Sequence, residues 1–495
     1  MADKARILFR ADGNSSIGLG HVTRSLAFAE MLLPDFNVLF LMQAPAAELQ
    51  EQVTSKGIFL VSLPLSSDYA AEVTYLTGTL LKPSDVVVLD GYGFDTTYQE
   101  KIKESGCGLI CIDDLHQIRF VADAVINQAG GVGANAYRAA AHTKLCLGPA
   151  YSLLRKPFLE AARETRKYSS ENKSVLVCLG GADPHNYTQQ ICEELYSKYK
   201  IEHIKIVVGA AYQRLLQLKE WVQKSPGCSL YVNQSPSDMV SLMKSCYMAI
   251  TSASGIAYEV SAVGGILFVL KTADNQKDLH HFLLQSRLAF DYGIMEELQG
   301  QATWEALFEE QVKQQRNVFD GESAGRLQAI VTAVSLGAQL TMRDAGKDDM
   351  LLLLEWANDP EVRIRSFNTD VIPLAIHKKW YYGKLENRIS RLYLADIAAE
   401  PAAHIRFDLK GAKATISYMI GKPFRHRGLG HVVLQKGVDR LKEQVPEITL
   451  VEGLVQLDNY ASIRAFEKAG YQLVEPYPAH PDALCFHLKL PEPLF

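Results

Sequence analysis

The strongest constraint on this chain is a rhythm that starts and then starts again. Short apolar runs rich in β-branched residues alternate with amphipathic helical stretches, and several of the runs end in Gly, Ser or Asp. That alternation is the pattern of a parallel sheet covered by helices. Residues 5–10 read as a strand, 13–20 as a loop and 21–33 as a helix, with further strands at 37–42, 85–90 and 108–113. The charged stretch 160–173 reads as a linker. After it a strand at 174–179 ends in Gly180-Gly181-Ala182-Asp183-Pro184, and strands at 205–208, 248–251 and 266–270 follow. Two successive α/β units of similar size imply a ligand-binding cleft between them.

A third pattern begins near residue 339. A strand to Arg343 leads to a helix at 348–357, and strands at 391–396, 404–409 and 413–420 then follow one another as an antiparallel meander would. They feed a glycine-bearing turn and a helix at 429–443. With 495 residues, the chain has room for two to four domains. The expected units are 1–165, 166–337 and 338–495, all of α/β class.

Composition narrows the partners. Hydrophobic residues make up 48% of the chain, enough for sizeable cores. Lys plus Arg count 51 against 56 for Asp plus Glu, a formal net charge of -5, which gives no bulk attraction to nucleic acid. The eight cysteines form no repeated ligand pair. Cys107 and Cys111 flank the apolar run Gly108-Leu109-Ile110 and read as buried thiols, which fits a reducing, cytoplasmic setting. No window reaches the roughly 18 continuous apolar residues that a membrane span needs, so a soluble protein is expected. His185, His280, His281 and His426 lack metal-ligand spacing with carboxylates, so no metal is expected.

Three glycine-bearing turns carry the chemistry. The first, Arg10 to His21, joins a strand to a helix and contains Asp12, Gly18 and Gly20. Glycine lets the backbone turn sharply and lets a ligand approach closely. A helix start offers free N–H groups to a phosphate or an oxyanion, and a neutral His21 there suits a general base acting on water. The alternative is a tight turn with a solvent-facing histidine. The second turn, Thr251-Ser252-Ala253-Ser254-Gly255, aims another helix start at the cleft. Glu259, one turn into that helix, has the two acceptor oxygens that suit vicinal hydroxyls. Gly180 and Gly181 are candidates for the opposite wall, and Asn275-Gln276 follows the next strand; for Ser254 and Asn275 the alternative is helix capping. The third turn, Arg425-His426-Arg427-Gly428-Leu429-Gly430, exposes successive backbone N–H groups, and Arg427 adds charge toward a diphosphate.

Taken together, Arg10-Ala11-Asp12, Ile17-Gly18-Leu19-Gly20-His21 and Arg24-Ser25-Leu26-Ala27 resemble the opening of the UDP-sugar hydrolases of pseudaminic acid biosynthesis. The likeness continues through Val88-Leu89-Asp90-Gly91-Tyr92, Ile112-Asp113-Asp114, Asn127-Gln128, Gly148-Pro149-Ala150-Tyr151 and Leu179-Gly180-Gly181-Ala182-Asp183-Pro184. It spans residues 5–330 and implies two Rossmann-like lobes of GT-B architecture. It implies metal-free hydrolysis of UDP-2,4-diacetamido-2,4,6-trideoxy-β-L-altropyranose, with His21 activating water and Tyr92 and Asp12 as further active-site groups. Tyr92 also reads as an aromatic cap on a strand end. The same resemblance implies UDP and sugar contacts from Gly18, Gly20, Gly180, Gly181, Ser254, Gly255, Glu259, Asn275 and Gln276.

The third unit resembles the GNAT acetyltransferases. The likeness runs through Met342-Arg343-Asp344-Ala345, Trp356-Ala357-Asn358-Asp359-Pro360, the 425–430 loop, Asn459-Tyr460-Ala461-Ser462 and Phe466-Glu467-Lys468-Ala469-Gly470-Tyr471. It implies acetyl-CoA as cosubstrate, held by Arg425, Arg427, Gly428, Leu429, Gly430 and Asn459. It also implies a strand before the loop that splays from its neighbour. Asn459 alternatively caps the helix that begins at Tyr460. Many relatives place a proton-donating Tyr where this chain has Phe466, leaving Tyr460, Tyr471 or solvent as donor. The combined expectation is a bifunctional enzyme that 4-N-acetylates a UDP-amino sugar and then releases UDP. The alternatives are a glycosyltransferase with a sugar acceptor and a sugar-nucleotide-binding protein with a decayed acetyltransferase.

Overall fold

The structure is a computed structural model and describes residues 4–13, 19–180, 183–301, 303–474 and 483–491. Its first sheet contains β1 (Arg6–Ala11), β2 (Asn37–Gln43), β3 (Phe59–Leu63), β4 (Val86–Asp90) and β5 (Gly108–Ile112). It is completed by β7 (Ala124–Asn127) and β9 (Lys144–Leu147), while β6 (Arg119–Phe120) and β8 (Arg138–Ala139) form a small separate ladder. The strand order is β3-β2-β1-β4-β5-β7-β9, and every pairing is parallel. Both faces are covered, which is why Val-Val-Val-Leu-Asp of β4 and Gly-Leu-Ile-Cys-Ile of β5 are buried at every position.

The second sheet repeats the plan. Its strands are β10 (Val175–Cys178), β11 (Ile204–Val208), β12 (Cys228–Val232), β13 (Met248–Ser252), β14 (Ile266–Leu270) and β15 (Phe290–Asp291), in the order β12-β11-β10-β13-β14-β15 and again all parallel. In each sheet the order reverses beside the first strand, between β1 and β4 and between β10 and β13. Such a switch point opens a crevice at the carboxyl ends of the strands, where ligands of open α/β sheets bind.

Two features depart from the linear expectation. The helix Lys156–Ala162 runs into the stretch read as a linker and buries Phe158 and Leu159. The helix Ser323–Gln339 follows the second sheet in sequence yet packs on the first. Gln328 Nε2 donates to Met31 O at 2.6 Å, and a Cβ added at Gly108 of β5 would stand 2.6 Å from Val334 Cγ1.

The third sheet is mixed: β16 (Thr341–Asp344), β17 (Ser390–Ile397), β18 (Glu400–Lys410), β19 (Lys413–Ile420), β20 (Leu450–Gln456), β22 (Ala483–Lys489) and β21 (Gln472–Val474), in that spatial order. All pairs are antiparallel except β19 with β20. That parallel pairing runs only from Lys413↔Leu450 to Ile416↔Gly453. Beyond it the two strands separate, which is the splay expected of them. No helix among the described residues is long and apolar enough to cross a membrane, and all eight cysteines carry free thiols.

Candidate active sites

At the first switch point, the helix Gly20–Leu32 follows β1 in the chain, and β4 ends in Asp90. Gly13 is required by close approach, because an added Cβ would meet Val22 Cγ2 at 2.8 Å. His21 and Asp90 lie 69 residues apart in sequence, yet the parallel pairing of β1 with β4 sets them side by side. His21 Nδ1 is 2.7 Å from Asp90 Oδ1, with His21 9% and Asp90 1% exposed. Arg24 and Ser25, one turn along the helix, present their polar groups to the same carboxylate. Arg24 donates from Nη2 to Oδ1 at 2.6 Å and from Nε to Oδ2 at 2.8 Å, and Ser25 Oγ donates to Oδ2 at 2.8 Å.

These contacts decide the protonation pattern. Burial pushes the Asp90 carboxyl up, but hydrogen bonds from Arg24 and His21 outweigh it and hold the group below the ordinary carboxylate range. An ionised carboxylate only accepts, so the short contact to Oδ1 requires the proton on His21 Nδ1. In the neutral ring Nε2 is then the nitrogen left without a proton, the form a general base needs. A buried acid that fixes the tautomer and stabilises the imidazolium is the orienting arrangement of Asp–His catalytic pairs.

Tyr92 belongs to the same cluster. Its ring meets the His21 ring edge-on at 4.8 Å, and its hydroxyl donates to Asp114 Oδ2 at 3.3 Å. Arg24 Nη1 bonds that same oxygen at 2.9 Å, which closes a ring of His21, Asp90, Arg24, Asp114 and Tyr92. Partial burial and the Asp114 charge raise the Tyr92 phenol. Tyr92 nonetheless remains 66% exposed, so its ring is not sealed into the core. Asp12 is placed differently from the expectation. Its Oδ1 is 2.6 Å from Arg10 Nη1 and accepts the Gln43 N–H at 2.8 Å, which ties it to the buried Arg10–Glu72 pair and to the end of β2. That makes it a brace of the sheet edge. Gly18 lies outside the described residues, and Gly20 opens the helix in a place where a side chain would meet nothing within 4 Å.

The second switch point brings Gly180, Ser252 and Ser254 together. Gly180 has φ +100, a conformation that only glycine adopts without strain, and faces Ser252 Oγ. Ser254 does not cap the helix Gly255–Val263; its Oγ lies 2.9 Å from Ser252 Oγ. Ala257 N–H donates to Ser254 O at 2.9 Å, and the N–H groups of Gly255 and Ile256 have no backbone partner among the described residues, so they are available to a ligand. Gly255 is open to space. Glu259 is bonded to Arg155 by Nε at 3.1 Å and by Nη2 at 2.5 Å. Burial raises its carboxyl despite that pairing. Gln276 departs from the expectation, because its amide is folded onto its own turn and accepts from Thr272 N at 2.8 Å. Gly181 and the side chain of Asn275 lie outside the described residues. Contacts between the two halves tie the second edge to the first: Gly130, in the loop after β7, donates its N–H to Tyr258 OH at 3.0 Å, and an added Cβ there would strike Phe282.

In the third sheet, the gap between β19 and β20 opens into a cavity of about 1510 Å³. The 425–430 loop borders it, with Gly428 at φ +76 and the helix Gly430–Gln444 starting immediately after. Gly430 is held close, since an added Cβ would reach Ala465 Cβ at 2.9 Å, and Leu429 is buried as an anchor. A helix start, a positive-φ glycine and a cavity between two separating strands suit a linear, diphosphate-bearing cofactor such as acetyl-CoA. Arg427 is exposed above the Phe424 ring, 5.8 Å from its centroid. Arg425 borders the cavity as well, but its side chain is already committed to Asp359 at 3.0 Å, Glu361 at 2.7 Å and Ile420 O at 3.0 Å, so it braces the loop. Asn459 borders the cavity but caps the helix Tyr460–Lys468, accepting the Ser462 N–H at 3.2 Å.

Comparison with known proteins divides the chain in the same place. Residues 339–472 match the acetyltransferase (GNAT) domain family. The UDP-2,4-diacetamido-2,4,6-trideoxy-beta-L-altropyranose hydrolase of Campylobacter jejuni is 24% identical over 293 residues, 58% of this chain and 99% of that protein. The spore coat polysaccharide biosynthesis protein SpsG of Bacillus subtilis is 24% identical over 291 residues, 58% of this chain and 83% of that protein. The chain joins a hydrolase-like N-terminal part to a GNAT domain. An uncharacterized protein of Methanocaldococcus jannaschii is 25% identical over 408 residues, 79% of this chain and 80% of that protein. A match of that length crosses the start of the GNAT domain, so the likeness extends over the junction.

Within the hydrolase-like part, four residues of the cluster were not singled out from sequence: Asp90, Arg24, Ser25 and Asp114. A signal was present. Asp90 ends a strand whose other four residues are apolar, and Arg24 and Ser25 stand three and four positions after His21, the spacing that shares a helix face.

Proposed function

We propose that the chain is a bifunctional enzyme of pseudaminic acid biosynthesis, organised as units 1–165, 166–337 and 338–495. In this reading the first two units form a GT-B pair, with the helix Ser323–Gln339 crossing back to the first. They release UDP from UDP-2,4-diacetamido-2,4,6-trideoxy-β-L-altropyranose. The GNAT domain first 4-N-acetylates the corresponding UDP-4-amino sugar with acetyl-CoA. Acetyl-CoA and nucleotide sugars are cytoplasmic metabolites, and the reaction is placed there.

The observation that carries the hydrolytic half is His21 with its Nδ1–H held by ionised Asp90. In the proposed step Nε2 takes a proton from water, whose oxygen attacks the anomeric carbon. The bond from that carbon to phosphate oxygen breaks, and its electron pair leaves with UDP. UDP is already a stabilised leaving group, so the protein has mainly to position water and hold spreading negative charge. Ser254, Gly255 and the free N–H groups of their helix are the proposed diphosphate contacts. Glu259 is the proposed ribose contact through an oxygen not engaged by Arg155. Tyr92, open beside His21, is the proposed sugar contact. No metal enters this chemistry.

The acetyl half rests on the family match, the splay beyond Ile416↔Gly453 and the cavity that it opens. Incubation of the purified chain with the UDP-4-amino sugar and acetyl-CoA, followed by mass spectrometry, tests both halves together. The expected products are the free diacetamido sugar, UDP and coenzyme A. Neither acetylated sugar nor UDP would end the proposal, and UDP release only on addition of a sugar acceptor would replace hydrolysis with glycosyl transfer.

A further inference from the structure

Acetyl transfer to an amine ends with a thiolate that needs a proton, and Phe466, at the position where a tyrosine would supply it, has none to give. Its ring is 3% exposed and wedged against β20, so close that a Cβ added at Gly453 would stand 2.3 Å from Phe466 Cε1. Among the described residues two tyrosines touch that ring. Tyr471 meets it at 4.8 Å, but its hydroxyl is buried with no partner among the described residues and does not border the cavity. Tyr418 meets it at 6.0 Å and does border the cavity. Tyr460 borders the cavity too, but it is 69% exposed at the start of its helix and has no ring contact with Phe466 among the described residues.

Tyr418 also stands where the cofactor must pass. It is on β19, two residues beyond Ile416, the last position paired with β20, and therefore inside the splay. Its hydroxyl lies 3.1 Å from Ser462 Oγ, and Ser462 also borders the cavity. It reaches the helix start that follows the 425–430 loop, 3.5 Å from the place a Cβ would take at Gly430. Burial raises the phenol, which keeps it protonated through the neutral range, with the Ser462 contact only partly opposing that.

We propose that Tyr418 is the proton donor to the departing thiol of coenzyme A, with Ser462 linking its hydroxyl to solvent; this rests on the reading of the GNAT domain as an acetyl-CoA-dependent enzyme. The neutral amine attacks the thioester carbonyl, so that a C–N bond forms and the C–S bond breaks with its electron pair on sulfur. Sulfur takes the Tyr418 proton. The phenolate recovers one through Ser462 from cavity water, which has received the proton shed by the acylated nitrogen. The balance is amine plus acetyl-CoA giving amide plus coenzyme A thiol.

The test pairs turnover with a property of bound coenzyme A that needs no acceptor. Tyr418→Phe keeps the ring and removes only the oxygen. It is expected to lower kcat for acetyl transfer by about 10²-fold, the lower end for a lost general acid, while the KM for acetyl-CoA and the Kd for coenzyme A stay unchanged. Ser462→Ala is expected to have a smaller effect in the same direction. In the unaltered protein the bound thiol, titrated by its ultraviolet absorbance, should ionise at lower pH than free coenzyme A, because Tyr418 donates to the thiolate. In Tyr418→Phe that lowering should vanish. An unchanged kcat and an unchanged thiol titration in Tyr418→Phe would overturn the proposal, as would a larger loss in Tyr460→Phe or Tyr471→Phe. If the chain binds coenzyme A but acetylates no UDP-amino sugar, the functional reading fails, and the thiol titration still decides the role of Tyr418. A chain that binds no coenzyme A overturns both.

Discussion

The two candidate sites solve opposite problems. The His21 site is crowded with charge: one ionised carboxylate buried at Asp90, three donors converging on it, and a second carboxylate at Asp114 linked through Arg24 and Tyr92. The GNAT site is a gap, made by two strands that stop pairing after Ile416↔Gly453. Its loop offers backbone N–H groups, and Arg425, which borders the cavity, has its charge already paired with carboxylates of the chain itself. A hydrolytic site must have its proton-transfer partners in place before water arrives. A site that receives a long cofactor needs vacancy and a rim of donors, because the ligand brings its own charge and fills the edge of the sheet.

This contrast can be broken by substitutions that touch one site only. The largest expected effect is from His21→Ala, which should reduce UDP release by about 10²–10⁴-fold, the contribution of a positioned base, and leave acetylation unchanged. Gly428→Trp should do the reverse, abolishing acetyl transfer and coenzyme A binding while UDP release from supplied UDP-2,4-diacetamido-2,4,6-trideoxy-β-L-altropyranose continues. Rates of both reactions measured on both variants check the separation; loss of UDP release in the Gly428 variant would show that the sites are coupled.

Next in size is Asp90→Asn. An amide carries no charge for Arg24, and its NH2 can donate to His21 Nδ1, so UDP release should fall by about 10²-fold or more through a misdirected tautomer. Removing one member of a buried ion pair costs about 3–5 kcal/mol, read as a lower midpoint in urea. The same residue sets a pH dependence. Because the folded state depresses the Asp90 pKa, its stabilisation is complete above the unfolded value of about 4 and is lost as pH falls toward the lower folded value. Melting temperature should therefore drop on acidification below that point, and Asp90→Asn should flatten the drop; an unchanged slope would remove Asp90 from the acid transition. The smallest effect is structural. Gly453→Ala puts a methyl group into Phe466 and should destabilise the GNAT domain by about 1–3 kcal/mol, as overpacking does, seen as a lower melting temperature with His21-dependent UDP release intact.

What the sequence made legible follows local physics. Strands such as Val86–Asp90 and Gly108–Ile112 announce themselves because burial on both faces demands unbroken apolar runs. The glycine turns announce the helix starts. His21 was visible because it sits on such a start, whereas its partner was not, because a bond between residues 69 apart depends on β1 pairing with β4. The same limit explains Asp12 and Arg425. Each is a polar residue at the right place in a motif, and each has its side chain bonded to a neighbour that only the tertiary fold supplies. The splay of β19 from β20 followed from resemblance rather than from any pattern within those strands. The return of the helix Ser323–Gln339 to the first sheet left no sign in its own sequence, since an amphipathic helix does not declare which sheet it will cover.

That returning helix has a consequence for synthesis. A ribosome that has finished the first seven-stranded sheet has still to make the whole second sheet before Gln328 can reach Met31 and Val334 can close over Gly108. Until then an apolar side of the nascent N-terminal half stays uncovered. Any attempt to express that half alone has to carry residues 323–339 with it, even though they are the last to emerge before the acetyltransferase begins.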